Sequence, residues 1–366
     1  MTEESTFKSF KSFKRFKPMN RDPGSQLGVL DLESTYRAPW WLPGGHVQTI
    51  YARWLARHFT VPYRRERWET PDNDFIDLDW LDDSPDGAKL IVLFHGLEGY
   101  SQSHYALSLM AVAARQGWRG VVPHFRGCSG EANRLTRSYH SGDSREIDWV
   151  LRRIKNKNPR SKVYVVGVSL GGNMLLKWLG EEGESAGGII ERAAAVSTPV
   201  DLAAAAGQLD FGLRRILYTS HFLSSLKPKA LAKIAEHNLK IDARAILASL
   251  TFRQFDDLFT APLHGFKDAD DYWLRCSSKP WLTQIKVPTL LINARNDPFL
   301  PSEALPSPAE VSDAVTLEFP ASGGHVGFVS GKCPGHIEWM PKRIMKFFAT
   351  DSYENGTSMT SKTVVS

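Results

Sequence analysis

The chain has 366 residues, 42% hydrophobic and 23% charged, a balance that supports a sizeable core and excludes whole-chain disorder. Its formal net charge is +5, but Lys8, Lys11, Lys14, Arg15, Lys17 and Arg21 lie together in the acid-free stretch 5–21. The remainder is close to neutral, which excludes a nucleic-acid-binding body. No stretch approaches the roughly 18 apolar residues of a transmembrane helix. The opening MTEESTFKSFKSFKRFK lacks the apolar centre of a secretory signal. Cys128, Cys276 and Cys333 are too few and too scattered for a disulfide framework or a C-x-x-C metal site. These readings predict a cytoplasmic protein with reduced thiols, no metal and no cofactor.

In chain order, residues 1–25 form a basic arm in which Phe7, Phe10, Phe13 and Phe16 recur every third position. On a helix that spacing spreads the rings over half the circumference, so no amphipathic stripe results. A flexible arm is predicted, and weak contact with an anionic membrane through its Lys and Phe residues is the alternative. Residues 26–200 then alternate β-branched runs with helical stretches, the pattern of a largely parallel sheet covered on both faces. Strands are predicted at Lys89–His95, Trp118–His124, Lys162–Gly167 and Ala193–Ser197, preceded by an alternating, antiparallel or edge strand at Phe75–Leu81. Residues 201–285 show no strand pattern and read as helices, including Leu213–Leu226 and Lys229–His237. A crossover needs only about a dozen residues, so this excess predicts an inserted helical cap over the carboxyl ends of the strands, where open α/β sheets bind ligands. Residues 286–350 resume the sheet with Pro288–Ala294 and Val315–Phe319. The polar 351–366 is a predicted flexible tail.

The strongest local signal is Gly167-Val168-Ser169-Leu170-Gly171, a G-x-S-x-G between a β-run and a helix. In that setting the serine occupies a strained strand-to-helix turn, and both glycines are required because flanking side chains would collide. The turn lifts the Ser169 hydroxyl above the sheet and aims the Leu170 N–H at a developing oxyanion. No G-K-[ST] follows, which excludes a P-loop. A nucleophilic serine needs a base and an orienting acid, in the order Ser, acid, His for this arrangement. Asp297 follows the Pro288–Ala294 run, and His325, within Gly323-Gly324-His325-Val326-Gly327, follows the last strand. Asp201 is the other acid at a comparable strand end, and His336 is a weaker alternative base. The second oxyanion donor is expected in His95-Gly96-Leu97-Glu98-Gly99, with the Leu97 N–H as donor and His95 bracing the loop. Arg126, in Arg126-Gly127-Cys128-Ser129-Gly130, reads as scaffold, with service to a charged substrate as the alternative. Cys128 reads as a packed thiol.

Taken with PWWLPGGHVQTIYARW (39–54), HFRGCSGEANR (124–134), TFRQFDDLFTAPLHGF (251–266) and GGHVGF (323–328), these motifs make the chain resemble the YheT-like esterases, the AB hydrolase 4 family of the α/β-hydrolase superfamily. The matching stretches span roughly 39–345, nearly all of the chain outside its two ends. The resemblance implies an α/β-hydrolase fold and a triad of Ser169, Asp297 and His325. The expected activity is hydrolysis of short-to-medium acyl esters or monoacylglycerol-like lipids through an acyl-enzyme. Acyl transfer to an alcohol by the same triad, and non-catalytic lipid binding, are the alternatives. The Phe/Lys arm departs from the family pattern.

Overall fold

The computed structural model describes residues 36–54 (the Trp54 side chain aside), 59–82 and 84–350. The expected arm and tail lie outside the described residues. Among the described residues eight strands form one sheet: β1 Arg64–Glu69, β2 Phe75–Leu81, β3 Leu90–Phe94, β4 Arg119–Pro123, β5 Val163–Val168, β6 Arg192–Val196, β7 Thr289–Ile292 and β8 Val315–Glu318. Their spatial order is β1-β2-β4-β3-β5-β6-β7-β8. β1 and β2 are antiparallel to their neighbours, and every pairing from β4 to β8 is parallel.

Helix α1 (Gly45–Trp54) precedes the sheet. Helices α2 (His104–Arg115), α3 (Ser144–Lys157) and α4 (Leu170–Glu182) connect the parallel strands. Between β6 and β7 the chain is helical among the described residues: α5 Leu202–Leu209, α6 Gly212–Arg214, a π-turn over Arg215–Thr219, α7 Ser220–Glu236, α8 Ala243–Ala248, α9 Phe252–Phe255, α10 Ala261–His264 and α11 Ala269–Cys276. Helix α12 (Trp339–Ala349) closes the described chain.

The period of two along each strand builds two cores. From β5, Val163 and Val165 point to one face, where they pack with α3 and α4 residues such as Ile147, Leu151 and Leu175. Tyr164, Val166 and Val168 point to the other, against Leu109 of α2 and Ile344 of α12. Each fully buried Leu, Ile or Val contributes about 1.5–3 kcal/mol, and the continuous apolar runs of these strands follow from their two-sided burial.

The structure goes beyond or departs from the sequence pattern at three places. β1 was not foreseen, because RRERWE carries a single large apolar side chain, Trp68, that is buried. β2 is antiparallel but is neither an edge strand nor half-exposed: all seven residues are buried between β1 and β4. Its acids are accommodated by ion pairs across the strands, Arg67 gripping Asp77 at 2.8 and 2.9 Å and Arg65 gripping Asp79 at 2.8 and 2.9 Å. Finally, the two helices expected on either side of Pro228 are one, α7, with Pro228 inside it.

Candidate active site

Ser169 follows β5 directly and starts α4 with φ 53° and ψ −121°, a backbone region that costs of order 1–3 kcal/mol for a side-chain-bearing residue. The turn is held from both sides. The Ser169 N–H donates to the Val196 carbonyl at 2.8 Å, and the Ser169 carbonyl accepts from Asn173 N–H at 3.1 Å. A Cβ on Gly167 would lie 2.6 Å from the Gly171 carbonyl oxygen, and one on Gly171 would lie 2.5 Å from the carbonyl oxygens of Phe94 and His95. Both glycines are therefore demanded by backbone contact, which lets α4 sit directly on the end of β3.

His325 Nε2 lies 3.0 Å from Ser169 Oγ. Its Nδ1 lies 2.9 Å from Asp297 Oδ2 and 3.2 Å from Oδ1. An ionised carboxylate only accepts, so Nδ1 carries the proton and Nε2 is left to accept from the serine hydroxyl. Asp297 is held in turn by the Phe299 N–H at 2.8 Å, and the Phe299 ring stacks on the imidazole with centroids 3.8 Å apart. The structure thus brings together the serine, acid and histidine singled out from the sequence. Asp201 instead caps α5, accepting from the Ala204 N–H at 3.0 Å. His336 sits on a bridge with Ser330.

The loop after β3 lies against the serine: a Cβ on Gly96 would meet Ser169 Cβ at 3.1 Å. Its Gly96 N–H donates to Tyr105 Oη at 2.9 Å. His95 Nδ1 donates to the Gly96 carbonyl at 2.8 Å, and Nε2 accepts from the Phe125 N–H at 3.1 Å. Full burial, reinforced by His124, pushes His95 down to about 3, so it braces the loop as a neutral ring. Glu98 takes the left-handed conformation, φ 55°. It accepts from Tyr139 Oη at 2.8 Å and pairs with Lys229 of α7 at 2.8 Å. Neither Leu97 N–H nor Leu170 N–H donates to another group among the described residues.

Two residues of this centre carried no signal in the sequence reading. Gln48 of α1 is buried; its Oε1 accepts from the Gly323 N–H at 2.9 Å and from Asn296 Nδ2 at 3.1 Å, while its Nε2 donates to the Leu42 carbonyl. Thr49 accepts from the His325 N–H at 2.8 Å. One helix turn therefore ties the Asp297 loop to the His325 loop. The GGHVQTI stretch carries part of the family resemblance, but its residue types do not announce this bracing. Arg126 is buried scaffold, paired with Glu146 at 2.6 Å and with Asp72 at 2.9 Å. Burial pushes the Cys128 thiol up to about 12, which leaves it protonated and inert.

Two cavities flank this centre. One, of about 740 Å³, is lined by Ser169 and His325 with Thr49, Ile50, Leu217 and Phe299. The other, of about 570 Å³, runs beneath α7 and is lined by Leu170, Leu226, Phe252, Phe255 and Phe259, with Lys229, Lys233 and Arg126 at its polar side. Leu97 and Glu98 line both. Both volumes fall in the range of ligand sites, about 300–1,000 Å³.

The alpha/beta hydrolase fold family profile matches residues 89–332. Over 309 residues, 83% of this chain and 90% of the relative, the chain is 39% identical to the "Putative esterase YheT" of Escherichia coli (strain K12). It is 29% identical to the human protein named phospholipase ABHD3, over 88% of this chain and 80% of that protein. In structure it resembles the Pyrococcus furiosus esterase Pf2001, with a TM-score of 0.52 at 16% identity, covering 80% of this chain and 96% of that one; this last likeness concerns the fold alone. The resemblance drawn from the motifs is thereby borne out, and the chain belongs to the α/β-hydrolase fold family, alongside YheT.

Proposed function

We propose that this carboxylic ester hydrolase works through Ser169, His325 and Asp297, and that it forms an acyl-enzyme on Ser169. The observation that carries the reading is the unbroken relay from Asp297 Oδ2 to His325 at 2.9 Å and from His325 to Ser169 Oγ at 3.0 Å, opening on a cavity. His325 takes the serine proton as Oγ attacks the ester carbonyl. The Leu97 and Leu170 N–H groups donate to the oxyanion, each such donor being worth about 10²–10³ in turnover. His325 then returns the proton to the departing alkoxide. Water, deprotonated by the same imidazole, releases the acid. The helices between β6 and β7 act as the cap. The Phe- and Leu-lined cavity beneath α7 suits an apolar acyl chain, and the name of the human relative, a phospholipase, adds support for lipid esters as the substrate class.

The test is hydrolysis of p-nitrophenyl esters from acetate to palmitate by the wild type and by Ser169→Ala. The variant is expected to lose at least about 10³ in kcat, with the wild type favouring chains of intermediate length. Full activity in Ser169→Ala overturns the assignment. Ethyl ester formed when ethanol is added measures how far the acyl group passes to an alcohol instead of water.

A further inference from the structure

The 740 Å³ cavity has an unusual rim. Most helices of a folded protein turn their apolar stripe inward, but here Leu213, Ile216 and Leu217 repeat at i, i+3 and i+4 across α6 and the π-turn and are 60%, 64% and 37% exposed. Phe211, just before them, is 75% exposed. Across the opening, Val47 and Ile50 lie one turn apart on α1 and are 48% and 38% exposed. The two sides meet: His46 Nδ1 lies 2.9 Å from Tyr218 Oη with the rings stacked, and Ile50 and Leu217 line the same cavity as Ser169. Exposed apolar groups concentrated around a cavity mouth mark an interaction surface.

The charge at this rim is mainly basic among the described residues. Segments 45–54, 99–104 and 211–222 contain Arg53, Arg214 and Arg215 and no Asp or Glu. Among the described residues lining the cavity, Glu98 is the acidic one, and Lys229 pairs with it. An apolar ring with basic side chains around it complements an anionic lipid interface, where hydrocarbon accepts the Leu and Ile side chains and phosphates attract Arg.

We propose that the mouth of the Ser169 cavity docks on an anionic membrane surface through the exposed face of Leu213, Ile216 and Leu217 together with Val47 and Ile50 of α1. Docking there turns the open cavity toward the bilayer, so that an ester held in the interface enters without crossing water. This face differs from the Phe/Lys arm, which the sequence alone singles out for membrane contact.

The experiment is sedimentation of the full chain with vesicles of phosphatidylcholine, alone or with phosphatidylglycerol. The wild type is expected to sediment with the anionic vesicles and to lose binding as NaCl rises. Leu213→Ser combined with Ile216→Ser, neither side chain lining the cavity, is expected to weaken vesicle binding about tenfold or more. Hydrolysis of soluble p-nitrophenyl acetate by that variant should match wild type, which also shows that it is folded. Undiminished binding by the variant, or no binding by the wild type, overturns the proposal. So does loss of binding only when Lys8, Lys11, Lys14 and Lys17 are changed to Gln. Vesicle binding needs no turnover, so this proposal and the esterase reading fail separately.

Discussion

Gln48 shows how one amide can organise a site without touching the reaction. Its side-chain oxygen accepts from the loop that bears His325 and from the one that bears Asp297, and Thr49 beside it fixes the His325 N–H. Gln48→Ala leaves the Gly323 N–H buried without a partner, at about 1–3 kcal/mol. The expected result is a fall in kcat of about tenfold or more with KM nearly unchanged, because the imidazole loses alignment while the substrate cavity keeps its walls. Steady-state kinetics on a soluble ester checks this; a rise in KM alone contradicts it. Asp256 supplies a different test. Burial, with Asp210 and Asp257 adding to it, pushes Asp256 from 3.8 up to about 7, although Thr260 and Trp273 donate to its carboxylate. Between about pH 4 and 7 the folded state then holds a proton that the unfolded chain has released. Stability is lost as pH rises through that window, by at most about 1.4 kcal/mol per pH unit. Asp256→Asn removes the titration, so the gap between variant and wild-type urea midpoints should shift in the variant's favour from pH 5 to pH 7. A gap that stays constant refutes the assignment.

Among the elements, the β5–α4 turn couples folding to chemistry. Five side-chain-bearing residues with positive φ, namely Glu98, Ser169, Ser197, Val326 and Phe328, gather on the loops around the site, and such strain persists only where its surroundings enforce it. Gly171→Ala forces a methyl group to within 2.5 Å of two carbonyl oxygens of β3 and its loop. Backbone on both sides leaves no flexible neighbour to yield. The expected outcome is a drop of several degrees or more in Tm together with lost esterase activity, read by thermal melts and turnover. A variant that melts and turns over like wild type contradicts the close packing of α4. This turn was readable in advance because its chemistry is written in glycine spacing. β1 was not, since its stability lies in Arg65 and Arg67 reaching acids of the neighbouring strand, a pairing that becomes visible only when the strands are adjacent. Pro228 misled for a related reason: a helix stop is its ordinary meaning, and tertiary packing of α7 over the site prevails against it.

Across the molecule, the parallel strands and the three residues of the relay were legible because each is announced by local pattern: apolar runs for doubly covered strands, and glycine-flanked Ser and His at strand ends. What the sequence withheld is what forms between distant segments. The bracing by Gln48, the stacking of Phe299 on His325 and the division of space around Leu97 all join parts of the chain that share no periodicity. That division has a consequence for traffic. Leu97 and Glu98 form the divide between two chambers, one of which holds Ser169. In the proposed acyl-enzyme mechanism, one chamber would take the acyl chain and the other the departing alcohol. On that reading the two products have separate chambers to leave by, and departure of the acid after hydrolysis completes the cycle.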